Sequence, residues 1–236
     1  MTPNRPAAVK HVIVFDLDDT LYLERDYVLS GFAAVGRWVE AHLSLKDFSE
    51  AARRHFDAGL RERVFDAVLS ELGAAAEPSL IARLVQIYRE HEPTIALAKD
   101  AADFLDSVRE DVGIALLTDG HLVSQTNKIR ALGLEERKVW PIVCTDQWGR
   151  DYWKPHRRGF ELIQSTFELP ADAFSYVADN PTKDFVAPRQ LGWRTVQILR
   201  PQRVHSEMGA QAEHPADISI ASLDEFELPQ RRSTPG

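Results

Sequence analysis

The stretch His11-Val-Ile-Val-Phe-Asp-Leu-Asp-Asp-Thr-Leu-Tyr22 decides how this chain is read. Val12 to Phe15 is a short, apolar, largely β-branched run, the pattern of a parallel strand covered on both faces. It ends abruptly in Asp16, with Asp18 two residues on and Thr20 two beyond that. Asp16 then stands at the carboxyl end of a strand, where open α/β sheets bind their ligands. Two carboxylates this close repel each other unless a cation, a proton or a phosphate site uses them. A helix cap or an adventitious cation site would give the same local pattern, so the rest of the chain has to discriminate.

Beyond Tyr22 the pattern turns helical, with Val28, Phe32, Val35 and Val39 recurring at spacings of three and four. Asp47 to His55, Glu62 to Leu72 and Ser79 to His91 read as further helices, broken near Gly59, Gly73 and Glu77-Pro78 and closed by Pro93. From Lys99 onward helix and strand alternate, as in a parallel sheet with crossover helices. Strands are predicted over Gly113–Thr118, Val139–Thr145, Phe174–Ala178, Thr195–Leu199 and Asp217–Ile220. Helices are predicted over Asp100–Glu110, over Leu122–Leu132, from Pro155 at its first turn to Phe167, and around Leu223. Arg200 to Pro215 reads as a surface loop, and the tail after Leu228 as frayed.

With 236 residues the chain is long enough for one ample core or for a core plus a smaller domain. A net charge of -8 argues against a nucleic-acid polymer as partner. Cys144 is the only cysteine, which excludes an intrachain disulfide and a cysteine metal cluster. The polar opening, Met1 to Lys10, lacks the apolar core of a signal peptide, and no apolar run is long enough to span a membrane. The expectation is a cytoplasmic protein, monomeric or homodimeric, without membrane association. No GxGxxG turn or Walker loop occurs, which weakens dinucleotide and ATP readings.

Three further stations follow the first in order. Ile114-Ala-Leu-Leu-Thr118 is an apolar strand ending in a hydroxyl, followed by Asp119-Gly120, where Thr118 and the next backbone N–H groups can hold phosphate oxygens at a helix mouth. A cap by Thr118 or Asp119 is the alternative. Lys154-Pro155 sets a compact positive charge just before a helix, though most lysines simply face solvent. Tyr176-Val-Ala-Asp179-Asn-Pro-Thr-Lys-Asp184 brings two carboxylates across a strand-to-helix turn, a hard-oxygen set suited to Mg²⁺ or else a cap with a first-turn acid.

Taken together, Asp16-x-Asp18-x-Thr20, Thr118, Lys154-Pro with Phe160, and the Asp179/Asp184 turn resemble the motifs of the haloacid dehalogenase-like (HAD) hydrolase superfamily. The resemblance runs from Val12 to Leu228 and departs from the pattern at Ala178, where glycine is usual. A helical insertion between the first two motifs is similar to the helical-cap subgroup, with its phosphoglycolate, nucleotide and N-acylneuraminate phosphatases and β-phosphoglucomutase.

The resemblance implies a doubly wound, Rossmann-like α/β core of residues 1–23 and 95–236 with a helical cap domain at 24–94. It implies Mg²⁺ held by Asp16, the Asp18 carbonyl and Asp179, with Asp184 or Asn180 in support. Asp16 would be the nucleophile, and Asp18 the general acid and base, a role worth about 10²–10⁴-fold. Thr118 and Lys154 would stabilise the transferring phosphoryl group, with Asp119 and Gly120 beside them at the phosphate. Halide-releasing members lack the second acid, so Asp18 favours a small phosphorylated metabolite, a sugar phosphate or nucleotide, as substrate.

A phosphosugar mutase on the same core, a receiver-like phospho-accepting protein and a silent HAD-like binding protein are the alternatives. Arg37, Arg53, Arg54, Arg61 and Arg63 of the insertion can meet an acidic substrate or face solvent. Tyr22, Trp148, Tyr152 and Trp153 can stack on a ring or pack at the rim. His121 and His156 read as helix-start residues, with no zinc-type spacing.

Overall fold

Alternation along β1 (His11–Phe15) sorts its side chains onto the two faces of a sheet. Ile13 and Phe15 join Ile114, Leu116 and Val177 in one apolar cluster, while Val12 and Val14 join Ala115, Leu117 and Tyr176 in another. Each face needs a helical cover, which is why the strands read as continuous apolar runs. The computed structural model of the protein describes residues 8–204 and 214–228.

The other strands are β2 (Val112–Thr118), β3 (Ile142–Cys144), β4 (Phe174–Ala178), β5 (Arg194–Ile198) and β6 (Ile218–Ile220). They form one parallel sheet in the order β3-β2-β1-β4-β5-β6. Helices α5 (Lys99–Ser107) and α6 (Leu122–Ala131) cover the first face through Ala101, Leu105 and Ile129. Helices α7 (Arg158–Phe167) and α8 (Val186–Gln190) cover the second through Phe160, Ile163 and Ala187. This is the doubly wound α/β architecture expected from the sequence. Burying each of the larger ones, Leu105, Ile129, Phe160 and Ile163, contributes about 1.5–3 kcal/mol. Packing under α7 is close: a Cβ at Gly159 would lie 2.4 Å from Leu117 Cδ1.

Strand order reverses at β1, with β2 on one side and β4 on the other, so the crevice at their carboxyl ends is the ligand position of an open α/β sheet. Register sets Phe15 opposite both Leu116 and Val177, and the Asp16 amide donates to the Val177 carbonyl at 2.9 Å. The first acid therefore emerges level with the end of β4.

Between β1 and α5 lie α1 (Glu24–Leu43), α2 (Phe48–Asp57), α3 (Val64–Glu71) and α4 (Pro78–Glu90). Their apolar faces pack together, with Phe32, Val35 and Val39 of α1 against Phe48, Phe65 and Leu84. Asp19, in the left-handed region at φ 50°, joins this unit to the sheet. Its carboxylate accepts from the Glu24 amide at 2.9 Å and the Val204 amide at 2.6 Å.

Several boundaries differ from expectation. α7 starts at Arg158, not at Pro155. Pro155 instead lies in a turn closed by the His156 amide on the Trp153 carbonyl at 2.9 Å, and His156 Nδ1 accepts from the Arg158 amide at 3.1 Å, where the helix begins. The strand expected over Val139–Thr145 pairs only over Ile142–Cys144. The element at Leu223 is a 3-10 turn, Leu223–Glu225, whose first amides are taken by the Asp100 carboxylate and the Ser222 hydroxyl. Arg200 is buried rather than on a surface loop: its Nε donates to the Thr20 carbonyl at 2.6 Å, and one terminal nitrogen pairs with Asp100 at 2.9 Å. The middle of the expected loop, 205–213, and the tail from 229 lie outside the described residues.

Candidate active site

Three carboxylates and one ammonium meet at the end of β1. Lys154 Nζ lies 2.9 Å from Asp16 Oδ1 and 2.8 Å from Asp184 Oδ1, and donates to the Tyr176 hydroxyl at 3.0 Å. Asp16, Asp179 and Asp184 each offer an oxygen within 4.8 Å of the others. The turn after β4 fixes the last two: Asp184 Oδ2 accepts from the Asn180 amide at 3.0 Å, and the Asp179 carbonyl accepts from Gln197 at 3.0 Å.

Burial dominates the electrostatics of this cluster. It pushes the Asp16 carboxyl up to about 6, against the pull of Lys154 and with the help of Asp184. Burial, followed by Asp184 and Asp16, pushes Asp179 up to about 9. Burial opposes the Lys154 ammonium, but Asp16 and Asp184 outweigh it and keep that group charged. Three buried carboxylates gathered this closely need more positive charge than one lysine brings. The donor set is entirely hard oxygen, which fits Mg²⁺.

Asp18 stands apart from that cluster. Its Oδ1 accepts from Lys128 Nζ of α6 at 2.7 Å and from the Tyr22 hydroxyl. Its Oδ2 accepts from Gln125 Nε2 at 3.1 Å, and the same amide nitrogen donates to Thr118 Oγ1 at 2.6 Å. Burial works against the Asp18 carboxylate, but the charge and hydrogen bonds of Lys128, with Tyr22 and Gln125, hold its pKa below the usual value. Its side chain is not one of the three clustered acids.

Thr118 ends β2 with its hydroxyl on Gln125. Asp119 has a contact set of its own: Oδ1 accepts from the Thr145 hydroxyl at 2.8 Å and the Lys154 amide at 3.0 Å, and Oδ2 pairs with Lys183 at 3.1 Å. Burial pushes its carboxyl up, but Lys154 and Lys183 outweigh this and keep it ionised. An anion so engaged positions two lysines, and only the backbone here is suited to a phosphate. Gly120 follows at φ +118°, and a Cβ there would sit 3.2 Å from the Gln125 side chain, so glycine is required.

A cavity of about 620 Å³ opens over these groups, lined on the sheet side by Asp16, Asp18, Asp179 and Lys183. Of the arginines considered from the sequence, Arg61 and Arg63 line it. Arg53 instead pairs with Glu50 and Asp57, and Arg54 with Glu71. Trp153 and His121 border the cavity, whereas Trp148 and Tyr152 both lie against Arg158, at 4.7 and 4.8 Å, and His156 packs on Tyr152.

The family model for haloacid dehalogenase-like hydrolases matches residues 10–192, a span holding every group of this cluster. The chain belongs to the haloacid dehalogenase-like hydrolases. This hydrolase is 27% identical to a glyceraldehyde 3-phosphate phosphatase of Methanocaldococcus jannaschii, over 91% of the chain and 94% of that protein. It is also 27% identical to a glyceraldehyde 3-phosphate phosphatase of Methanopyrus kandleri, over 80% of the chain and 83% of that protein. Among solved structures, a HAD-superfamily hydrolase of subfamily IA from Geobacter sulfurreducens superposes with a TM-score of 0.63 at 15% identity, over 92% of this chain and 94% of that one. The HAD hydrolase YfnB of Bacillus subtilis, bound to magnesium, gives 0.62 at 18% identity, over 92% and 96%. Both show the shared fold.

Sequence reasoning missed four contributors to the hydrolase site: Tyr22 as a partner of Asp18, Gln125, Lys128 and Lys183. Gln125 and Lys128 carried a readable signal. They stand three apart on α6 with Ile129, a spacing that puts two polar residues on a helix face otherwise turned inward.

Proposed function

We propose that this hydrolase releases phosphate from small phosphomonoesters, sugar phosphates and nucleotides among them, with Mg²⁺ and through an aspartyl-phosphate on Asp16. One observation carries the reading. Asp16 lies in a lysine-faced carboxylate cluster while Asp18 is held in a separate, differently tuned contact set, and two neighbouring acids in unlike environments divide nucleophile from acid and base. The phosphatase relatives at 27% identity support the same chemistry.

An Asp16 oxygen attacks phosphorus, the bond from phosphorus to the substrate alcohol breaks, and Asp18 gives the departing oxygen its proton. Asp18 enters as a carboxylate; the negative substrate raises its proton affinity, and it takes up a proton from solvent before the transfer. In the second step Asp18 takes a proton from water, whose oxygen attacks phosphorus and frees Asp16. Lys154, anchored by Asp184 and Tyr176, stabilises charge on the transferring group. Asp16, Asp179 and Asp184 would hold Mg²⁺, which when bound screens carboxylate from phosphate. The unit at residues 24–94 acts as the cap that closes over the reaction.

Phosphate release from a panel of sugar phosphates, nucleotides and simple alkyl phosphates with Mg²⁺ tests the reading. Activity no greater than that of Asp16→Asn across the whole panel would sink it.

A further inference from the structure

The helices between β1 and α5 give the cavity a set of apolar side chains. Val28, Phe32, Phe65, Ile81, Val85 and Tyr88, from α1, α3 and α4, line the same 620 Å³ space as Asp16 and Asp179. Helices packed only for stability fill such space with their own side chains. Here they stand off around a volume in the range of about 300–1,000 Å³ that encloses drug-sized ligands. A three-carbon phosphoester fills only the sheet end of it.

Several of the polar groups that line this cavity are already engaged. The Tyr27 hydroxyl donates to the Tyr88 carbonyl at 3.3 Å, and the Ser124 hydroxyl to the Arg89 carbonyl at 3.0 Å. Arg63 pairs with Asp66 at 2.7 Å, while Arg61 donates to the Phe56 and Leu60 carbonyls and lies 4.1 Å from the Phe56 ring centre. Arg89 is exposed. Hydroxyls of a sugar placed against the apolar side chains would surrender water for little in return. An aromatic ring or branched chain loses nothing there, and Trp153 and His121 add flat surfaces beside it.

We infer that the preferred substrates are phosphomonoesters whose alcohol carries an apolar body, an aromatic ring or branched hydrocarbon, seated between α1, α3 and α4 while the phosphate meets Asp16. This rests on the phosphatase reading and narrows it. One methylene in an apolar pocket changes selectivity by roughly 10–200-fold, so a whole ring is expected to exceed tenfold.

The decisive comparison is kcat/KM for 2-phenylethyl phosphate against glycerol 3-phosphate with Mg²⁺, two primary alkyl esters that differ chiefly in the body of the alcohol. The expected result is a preference above about tenfold for the phenylethyl ester, reduced at least several-fold in Val85→Phe, which fills the wall. Ile81→Phe gives a second reading if the first variant melts early. Equal rates, a preference for glycerol 3-phosphate, or a preference untouched by both variants would overturn the inference and leave the phosphatase reading standing. Hydrolysis of neither ester nor of any panel member would remove both.

Discussion

Lys128 Nζ sits 2.7 Å from Asp18 Oδ1, joining the middle of α6 to the turn after β1 across 110 residues of sequence. The lysine is buried and lies 4.1 Å from the centre of the Tyr27 ring, so its ammonium has few orientations other than toward Asp18.

That pair controls the proposed acid and base. Lys128→Met keeps the length of the side chain and removes the charge. Turnover of alkyl phosphates is expected to fall by about 10²-fold, the lower bound for a proton-transfer contribution. The loss on 4-nitrophenyl phosphate, whose leaving group needs no proton, should be several-fold smaller. Equal losses on both esters would show that Lys128 serves the fold alone.

Asp16→Asn should abolish turnover and leave no acid-stable radiolabel on the protein after quenching with ³²P-labelled substrate. Its folding should not suffer. Burial holds the Asp16 carboxyl up at about 6, so at pH 8 the folded state keeps it ionised against its preference, and a neutral amide relieves that cost. A melting temperature equal to or above that of the wild type is expected.

Chelation should abolish activity, and added Mg²⁺ should restore it while raising the melting temperature. With free ion at 100 times Kd the stabilisation is about 2.7 kcal/mol. In Asp179→Asn, which removes one of the three clustered carboxylates, both responses should shift to higher Mg²⁺. A thermal response to Mg²⁺ unchanged in that variant would place the ion elsewhere.

Burial pushes the Cys144 thiol up to about 11, with Asp146 adding to the effect. At pH 8 about one thiol in a thousand is then ionised, and the thiolate is the nucleophile. Labelling by iodoacetamide should be slow in the native protein, quicken as pH rises toward 11, and accelerate sharply in urea. Rapid labelling at pH 8 would contradict the packing around β3.

Gly159→Ala should destabilise the core without touching the site chemistry. The new methyl meets Leu117 Cδ1 at 2.4 Å, and overpacking of this kind costs about 1–3 kcal/mol, readable from the urea midpoint.

Much of the architecture was legible because apolar runs such as Val12–Phe15 and Phe174–Ala178 have no place but a doubly covered sheet, and their ends announce themselves in acid. Asp16, Lys154, Asp179 and Asp184 could be expected together, since each lies at a strand end or helix start on one rim. Lys128 and Gln125 are legible only as polar residues on the inward face of α6 beside Ile129; nothing in the sequence names Asp18 as the acid they meet. Asp119 was read for its place next to Thr118, yet its contacts come from residues 26 to 64 positions away. Arg200 falls in a predicted loop because nothing local marks the Thr20 carbonyl and Asp100 as its partners. The start of α7 differs because Pro155, which fits a helix's first turn, lies in a turn closed by the His156 amide on the Trp153 carbonyl.

The Asp119 carboxylate has a wider effect than its size suggests. By gripping Thr145, the backbone of Lys154 and the ammonium of Lys183, it fastens three separate loops to one anchor beneath the reaction centre. Those loops therefore share a common alignment and cannot drift independently. Losing that single anchor would blur the aim of both lysines together, although the anchor itself need never meet phosphorus.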